Sequence, residues 1–304
     1  MQFSDHHRRR RTALNSNLSK TVVVLAAALL SACATQDAKR TAVKETVWAV
    51  TATHQLIKFE ASAPERILDS KPLSGLAANE ALVGIDFRVA RGILYALAGS
   101  GQLYTIDTRS GSLKPVGNAP GGTRLTGSAF GFDFNPTVDR IRVVGNDGQN
   151  LRLHPDTGTQ VDSDPQAPGV QADGLLAYAA DDANAGKAPQ VTAAAYTYNK
   201  QNDKITTNFA IDRALGTLVT QGTREGVQPA VSPNTGKLFT VGKLGLGAVD
   251  DVAFDISDVK NTGLAAIAKD GGSRLYEIDL QSGRAYLLGT IGTGAALRGM
   301  AIEP

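Results

Sequence analysis

The chain has 304 residues, of which 42% are hydrophobic and 20% charged, with 32 glycines, four histidines, one cysteine and a formal net charge of +2. This is globular composition, enough for two average domains or one large all-β domain. One cysteine excludes a disulfide scaffold, a Cys-rich zinc site and c-type haem attachment.

Residues 1–32 read as an export signal. His6, His7 and Arg8 to Arg11 make a basic start, and an apolar run follows Lys20 from Thr21 to Leu30. The run is shorter than the roughly 20 residues a membrane span needs and suits the hydrophobic segment of a secretory signal. Leu30-Ser31-Ala32-Cys33 resembles a bacterial lipobox, so Cys33 is expected to be lipidated and to become the N-terminus after cleavage. Ala34, where Asp would retain the product at the inner membrane, points to the outer membrane, facing either the periplasm or the cell surface. The removed segment carries five cations (Arg8 to Arg11 and Lys20) against Asp5, so the mature chain is net −2. No basic stripe remains for nucleic acid. Residues 33–45 form the lipidated cysteine and a small, polar tether.

Residues 46–304 read as one repeat domain. A first strand signature, small–apolar–x–apolar, recurs as Gly84-Ile-Asp86-Phe, Gly131-Phe-Asp133-Phe, Ala195-Tyr-Thr197-Tyr, Ala253-Phe-Asp255-Ile and Gly299-Met-Ala301-Ile. A second, a strand running into a turn, recurs as LYTIDTRSG (103–111), NLRLHPDTG (150–158), NFAIDRALG (208–216) and LYEIDLQSG (275–283), with a degenerate copy at 56–64. Between them lie a short strand and a Gly- or Asn-rich turn such as Asn146-Asp147-Gly148, suited to the positive φ of tight hairpins. The second signature starts at 56, 103, 150, 208 and 275, spacings of 47, 47, 58 and 67. Propeller blades run about 40–50 residues. Segment 163–190 reads as an insertion, and 236–244 as an added or displaced strand. The expected fold is therefore an all-β propeller of five four-stranded antiparallel blades, with a sixth partial blade as the alternative. The chain ends supply complementary halves of one blade, so the two termini close the ring.

The stretch GFDFNPTVDRIRVVGNDGQNLRLHPDTG (131–158), with GIDFR before it and VAFDIS after it, resembles a bacterial family known as domain of unknown function 4394. The resemblance covers about residues 46–304 and implies a secreted or envelope-located propeller with no assigned chemistry.

Candidate site residues fall in two groups. Asp86, Asp133 and Asp255 recur at one position of the first signature. They read as buried carboxylates bonded to a neighbouring strand or, alternatively, as an incomplete axial ring around a cation. Asp139, Arg140, Arg142 and Arg152 cluster in the third repeat. They read as a salt-bridge ladder with Asp133 or as a grip for an anionic ligand. Asp107, Asp212 and Asp279 end strands at turns, with His154 as their substitute in the third repeat; His54 reads as exposed. Asp181, Asp182 and Asn184 offer a partial calcium-like loop, so no cofactor is expected beyond a structural Ca²⁺ there. Trp48 reads as blade packing; exposed, it would suggest a carbohydrate platform. No nucleophile elbow, P-loop or HExxH motif occurs.

The expected role is non-catalytic binding or scaffolding at the envelope, with a membrane attachment through lipid and an envelope protein or glycan as partner. The alternative is a metal-assisted or acid–base hydrolase or lyase with its site in the axial depression. That alternative requires the aspartates and arginines to converge at one mouth.

Overall fold

The computed structural model describes residues 1–2, 42–117 and 123–304. The chain divides into two compact units, Met1–Ala42 and Val43–Pro304, and the fold described here is that of the second. The export signal, Cys33 and all but the end of the tether lie outside the described residues. The compact unit begins slightly before the expected boundary, because Val43 already packs in the core.

Five small sheets form five propeller blades. The first contains β1 (Thr46–Thr51), β2 (Gln55–Glu60) and β3 (Ala63–Pro72). The second contains β4 (Leu82–Arg88), β5 (Ile93–Ala98), β6 (Leu103–Ile106) and β7 (Leu113–Pro115). The third has only β8 (Phe130–Asn135), β9 (Arg140–Gly145) and β10 (Asn150–Leu153), with an isolated bridge from Leu153 to Gln160. In the fourth, β11 (Ala177–Tyr178) lies parallel to the outer edge of β12 (Val191–Tyr196), β13 (Asn208–Asp212), β14 (Thr217–Gln221) and β15 (Lys237–Lys243). The fifth contains β16 (Asp251–Ile256), β17 (Gly263–Lys269), β18 (Gly272–Ile278) and β19 (Ala285–Thr290). The last strand, β20 (Leu297–Ile302), pairs antiparallel with β1 and completes the first blade. Both termini thus close the ring, and Glu303 reinforces the closure by accepting from Trp48 Nε1 at 3.1 Å and pairing with Lys58 at 2.8 Å.

Two expectations need correction. Segment 236–244 forms no sixth blade, because Lys237–Lys243 is the fourth strand of blade four. The fourth copies of both signatures are also out of register. Ala193-Ala194-Ala195-Tyr196 lies where the other blades carry their first signature, so Ala195, not Thr197, stands at the aspartate position. NFAIDRALG holds the second strand of its blade, whereas its counterparts hold the third. The turn chemistry explains this. Asp107, Asp212 and Asp279 each accept backbone amides two or three residues ahead, which closes a hairpin wherever in a blade it falls.

The core is a ring of apolar layers, one between each pair of adjacent blades. Residues 2 and 4 of the first signature face backward into the layer shared with the preceding blade: Ile85 and Phe87, Phe132 and Phe134, Phe254 and Ile256, Met300 and Ile302. Residues 1 and 3 therefore face forward. Position 1 must be small: a Cβ on Gly84 would lie 2.5 Å from Phe132 Cβ, and one on Gly131 would lie 2.6 Å from the Ala193 carbonyl carbon. The layer between blades three and four differs from the rest, since Val144 is its sole member from blade three. Polar side chains fill the remainder of that interface.

Candidate functional site

Each innermost strand bonds outward to its blade, which leaves its inward amides without a ladder partner. Buried amides need acceptors. The three recurring aspartates supply them. Asp86 accepts from the amides of Phe87 and Phe134, both at 2.7 Å. Asp133 accepts from Tyr196 at 2.9 Å. Asp255 accepts from Ile256 at 2.5 Å and Ile302 at 2.6 Å. These amides all belong to position 4 of the first signature, one from each blade. Three aspartates therefore satisfy all five blades, and Ala195 and Ala301 need no carboxylate. Where the preceding blade has alanine, the amide turns to its own blade's aspartate instead.

The three side chains are 3 to 6% exposed, and one oxygen from each lies within 4.8 Å of the others. Burial, then the Asp255 charge, raises Asp86 well above the ordinary carboxylate range. Burial, then the charges of Asp86 and Asp255, does the same to Asp133. Burial pushes Asp255 up to about 7. Desolvation and mutual repulsion thus outweigh the favourable amides. Tyr198 stands over this cluster, and burial followed by the three carboxylates raises its phenol too. Among the described residues this is the one carboxylate set whose oxygens can gather on a cation. The hollows along the axis are small, about 50 and 20 Å³. The larger is lined by Ser128, Asp251 and Arg298 among others.

The arginine group separates into three arrangements. Asp139 does not pair with the arginines of its own blade. It holds Arg88 of β4, whose guanidinium also meets Asp156 at 2.6 Å, fastening blade two to blade three. Arg140 donates to the carbonyls of Val138 and Asp139, the latter at 2.9 Å, and stays half-buried. Arg142 and Arg152 are direct partners across β9 and β10 and converge on Asp173, which belongs to the inserted segment. Arg152 grips it with two bonds of 2.8 Å, and Arg142 meets it at 2.6 Å. Arg142 also donates to Asn150 Oδ1 (2.7 Å), Asn234 Oδ1 (2.6 Å) and the Tyr196 hydroxyl (3.2 Å). Arg142 and Asp173 are each 1% exposed, Arg152 20%. Tyr196 joins the two clusters: its amide serves Asp133, and its hydroxyl accepts from Arg142.

Over this second cluster opens a cleft of about 640 Å³ between blades three and four, within the range of small-molecule sites. Its lining includes Arg140, Arg142, Arg152, Lys204 and Arg224 against one carboxylate, Glu225. Arg224 is fixed by Gln281, the Leu280 carbonyl and the ring of Phe209. Three exposed apolar side chains, Val138, Ile205 and Val227, stand at its rim. A neighbouring hollow of about 460 Å³ shares Asn135, Thr137 and Ile205 with it.

The sequence reading missed Arg88, Asp173, Lys204, Arg224 and Glu225, because none repeats between blades. Two arginines facing each other on paired strands do require a carboxylate, but nothing local identifies Asp173 as its source. Of the remaining candidates, Asp182 and Trp48 have internal partners. Asp182 accepts from Thr240 through amide and hydroxyl, at 2.6 and 2.8 Å, and from the Asn184 amide, tying its loop to β15. Trp48 is 4% exposed, beneath Lys58 and Lys71. His54 is half-buried rather than exposed, at the positive φ of a turn. His154 is half-buried too, its pKa lowered by burial and by Arg140.

Fold and site together define a five-bladed propeller with a polar cleft between two of its blades. The chain belongs to the family described as domain of unknown function (DUF4394), whose model matches residues 55–301. No curated protein matches it. Among solved structures it is similar to the nidogen/laminin complex, at 11% identity and a TM-score of 0.45, aligning 86% of this chain with 98% of that one. A protein of unknown function from Bacteroides thetaiotaomicron aligns at 12% identity and a TM-score of 0.45, over 84% of this chain and 64% of that one. A "putative 6-phosphogluconolactonase" from Bacteroides uniformis aligns at 14% identity and a TM-score of 0.41, over 83% of this chain and 84% of that one.

Proposed function

We propose that this chain is a non-catalytic binding module of the bacterial envelope. Its anchor is a lipid on Cys33, and its ligand is an anion with an apolar body held in the cleft between blades three and four. The observation that carries this reading is the composition of that cleft: a cationic lining with three exposed apolar side chains at the mouth. Arg140 and Lys204 form no ion pair among the described residues, whereas Arg142 and Arg152 are engaged with Asp173 and shape the floor. An enzyme drawing on both the aspartates and the arginines is disfavoured, because each group is bonded into its own network. The address rests on the lipobox reading: Cys33→Ser is expected to abolish lipid labelling and leave unprocessed precursor.

The binding test compares octanoate with octanol by isothermal titration calorimetry. Octanoate is expected to bind at least about ten-fold tighter than octanol at low salt, with the gap narrowing as salt rises. Arg140→Ala with Lys204→Ala is expected to remove the gap. Equal binding of acid and alcohol, or binding of neither, would sink the proposal.

A further inference from the structure

Glu225 is the one carboxylate in a cleft whose lining carries five cations. Its amide donates to Thr207 Oγ1 at 3.0 Å, which fixes the residue where blade four leaves β14. One of its carboxylate oxygens, Oε2, is shut away from solvent and has no hydrogen-bond partner among the described residues. Arg224, next in the chain, is turned toward blade five. Lys204 lines the same cleft and forms no ion pair with it among the described residues. Buried polar atoms without a partner are rare in native proteins, and since Oε2 is closed to solvent, it gains a donor from outside the chain by turning its carboxylate into the cleft that Glu225 lines. We infer that the ligand is a zwitterion, a short peptide with apolar side chains, its terminal carboxylate toward Arg140 and Lys204 and its ammonium on Glu225.

This inference rests on the anion-binding reading of the cleft and narrows it. A fatty acid would lay apolar carbon against Glu225 and leave Oε2 unpaired. A glycan could supply hydroxyl donors but would want an aromatic face to stack on. The aromatic residue in the lining, Tyr196, is 1% exposed and engaged with Arg142. Val138, Ile205 and Val227, 37 to 55% exposed, instead suit aliphatic side chains.

The test titrates the purified full chain with trileucine, N-acetyl-trileucine and trileucine amide, and repeats the series with Glu225→Gln. Free trileucine is expected to bind at least about ten-fold tighter than either blocked form. Glu225→Gln should weaken free trileucine by a similar factor and leave the N-acetyl form unchanged. The variant should melt no lower than the parent, because Oε2 makes no internal bond. The inference is overturned if free and N-acetylated peptide bind alike, if Glu225→Gln weakens both equally, or if the variant melts lower. In those cases octanoate that still outbinds octanol leaves the anion cleft standing. Loss of that preference as well removes both readings.

Discussion

The axis and the cleft both bury charged side chains, and they solve the same physical problem in opposite ways. At the axis, three aspartates face backbone amides that every blade must present, so the cluster follows the repeat and closes on itself. In the cleft, Arg142 and Arg152 face side chains from segments no other blade possesses: Asp173 from the insertion and Asn234 from the loop before β15. That interface takes one apolar side chain, Val144, from blade three and hydrogen bonds in place of the others, and it opens on a cavity. Where the sequence repeats, the buried charges build the propeller. Where it departs from the repeat, they build a surface that differs from blade to blade, which is where binding specificity is placed on a repetitive scaffold.

The sharpest way to break this contrast is to remove the carboxylate that two guanidiniums share. Asp173→Ala leaves Arg142, 1% exposed, without its counter-charge. Uncompensated buried charges of this kind cost about 3–5 kcal/mol. A drop of that size is expected in urea unfolding, together with a cleft that no longer binds octanoate. An unchanged midpoint would mean that the cluster is not needed to hold blades three and four together.

The same contrast decides what was legible in the sequence. The blade count, the ring closure through β20 and β1, and the forward-facing aspartates follow from period-2 patterning and turn chemistry, which recur and so reinforce one another. The fourth blade was misaligned because Ala195-Tyr-Thr197-Tyr matches the small–apolar–x–apolar pattern as well as the true copy two residues earlier does. A pattern built of alternation survives a two-residue slip unchanged. The cleft was half visible. Arg140, Arg142 and Arg152 drew notice by spacing, but their partners come from loops whose paths the sequence leaves open. The closeness of Asp133 and Arg142 along the chain suggested a ladder between them. The two are cross-strand partners, yet the Tyr196 amide takes one and Asp173 the other.

A smaller effect tests whether the axial aspartates work as amide acceptors. Asp255 accepts two amides, so Asp255→Asn turns an NH₂ toward an N–H and leaves that amide unpaired. A cost of about 1–3 kcal/mol is expected. Asp133 accepts one amide only, and a hydrogen bond between its carboxyl and that of Asp86 raises Asp133 further while lowering Asp86. Asp133→Asn can keep the amide bond with its oxygen and offer its NH₂ to Asp86, so it is expected to cost less than Asp255→Asn. The reverse order, measured by urea unfolding at one pH, would refute the assignment of amides to carboxylates.

The smallest effect is the dependence of stability on pH, and its sign separates the axis from ordinary surface carboxylates. Asp255 has a folded-state pKa of about 7 against roughly 3.9 when unfolded. The folded chain therefore holds the proton more tightly, and stability falls as pH rises through this window. Most of the loss lies between pH 4 and 7. Between pH 6 and 8 a single such group still removes about 1.4 kcal/mol. Asp86 and Asp133 are raised in the same direction and add to the slope. Asp107 and Asp156 are lowered, by an amide bond from Arg109 and by the bond from Arg88 respectively, and lose their contribution only as pH falls below the unfolded value. Above pH 6 these two are silent, whereas His154, lowered by burial, makes stability rise with pH and opposes the axis, so the axis is read from the difference between the parent and Asp255→Asn. Asp255→Asn should flatten the slope, whereas Arg140→Ala with Lys204→Ala should leave it intact. An Asp255→Asn variant with the same slope as the parent from pH 6 to 8 would show that this carboxyl is already charged in the folded state. A cation gathered between the three carboxyls would then be the better account of the axis.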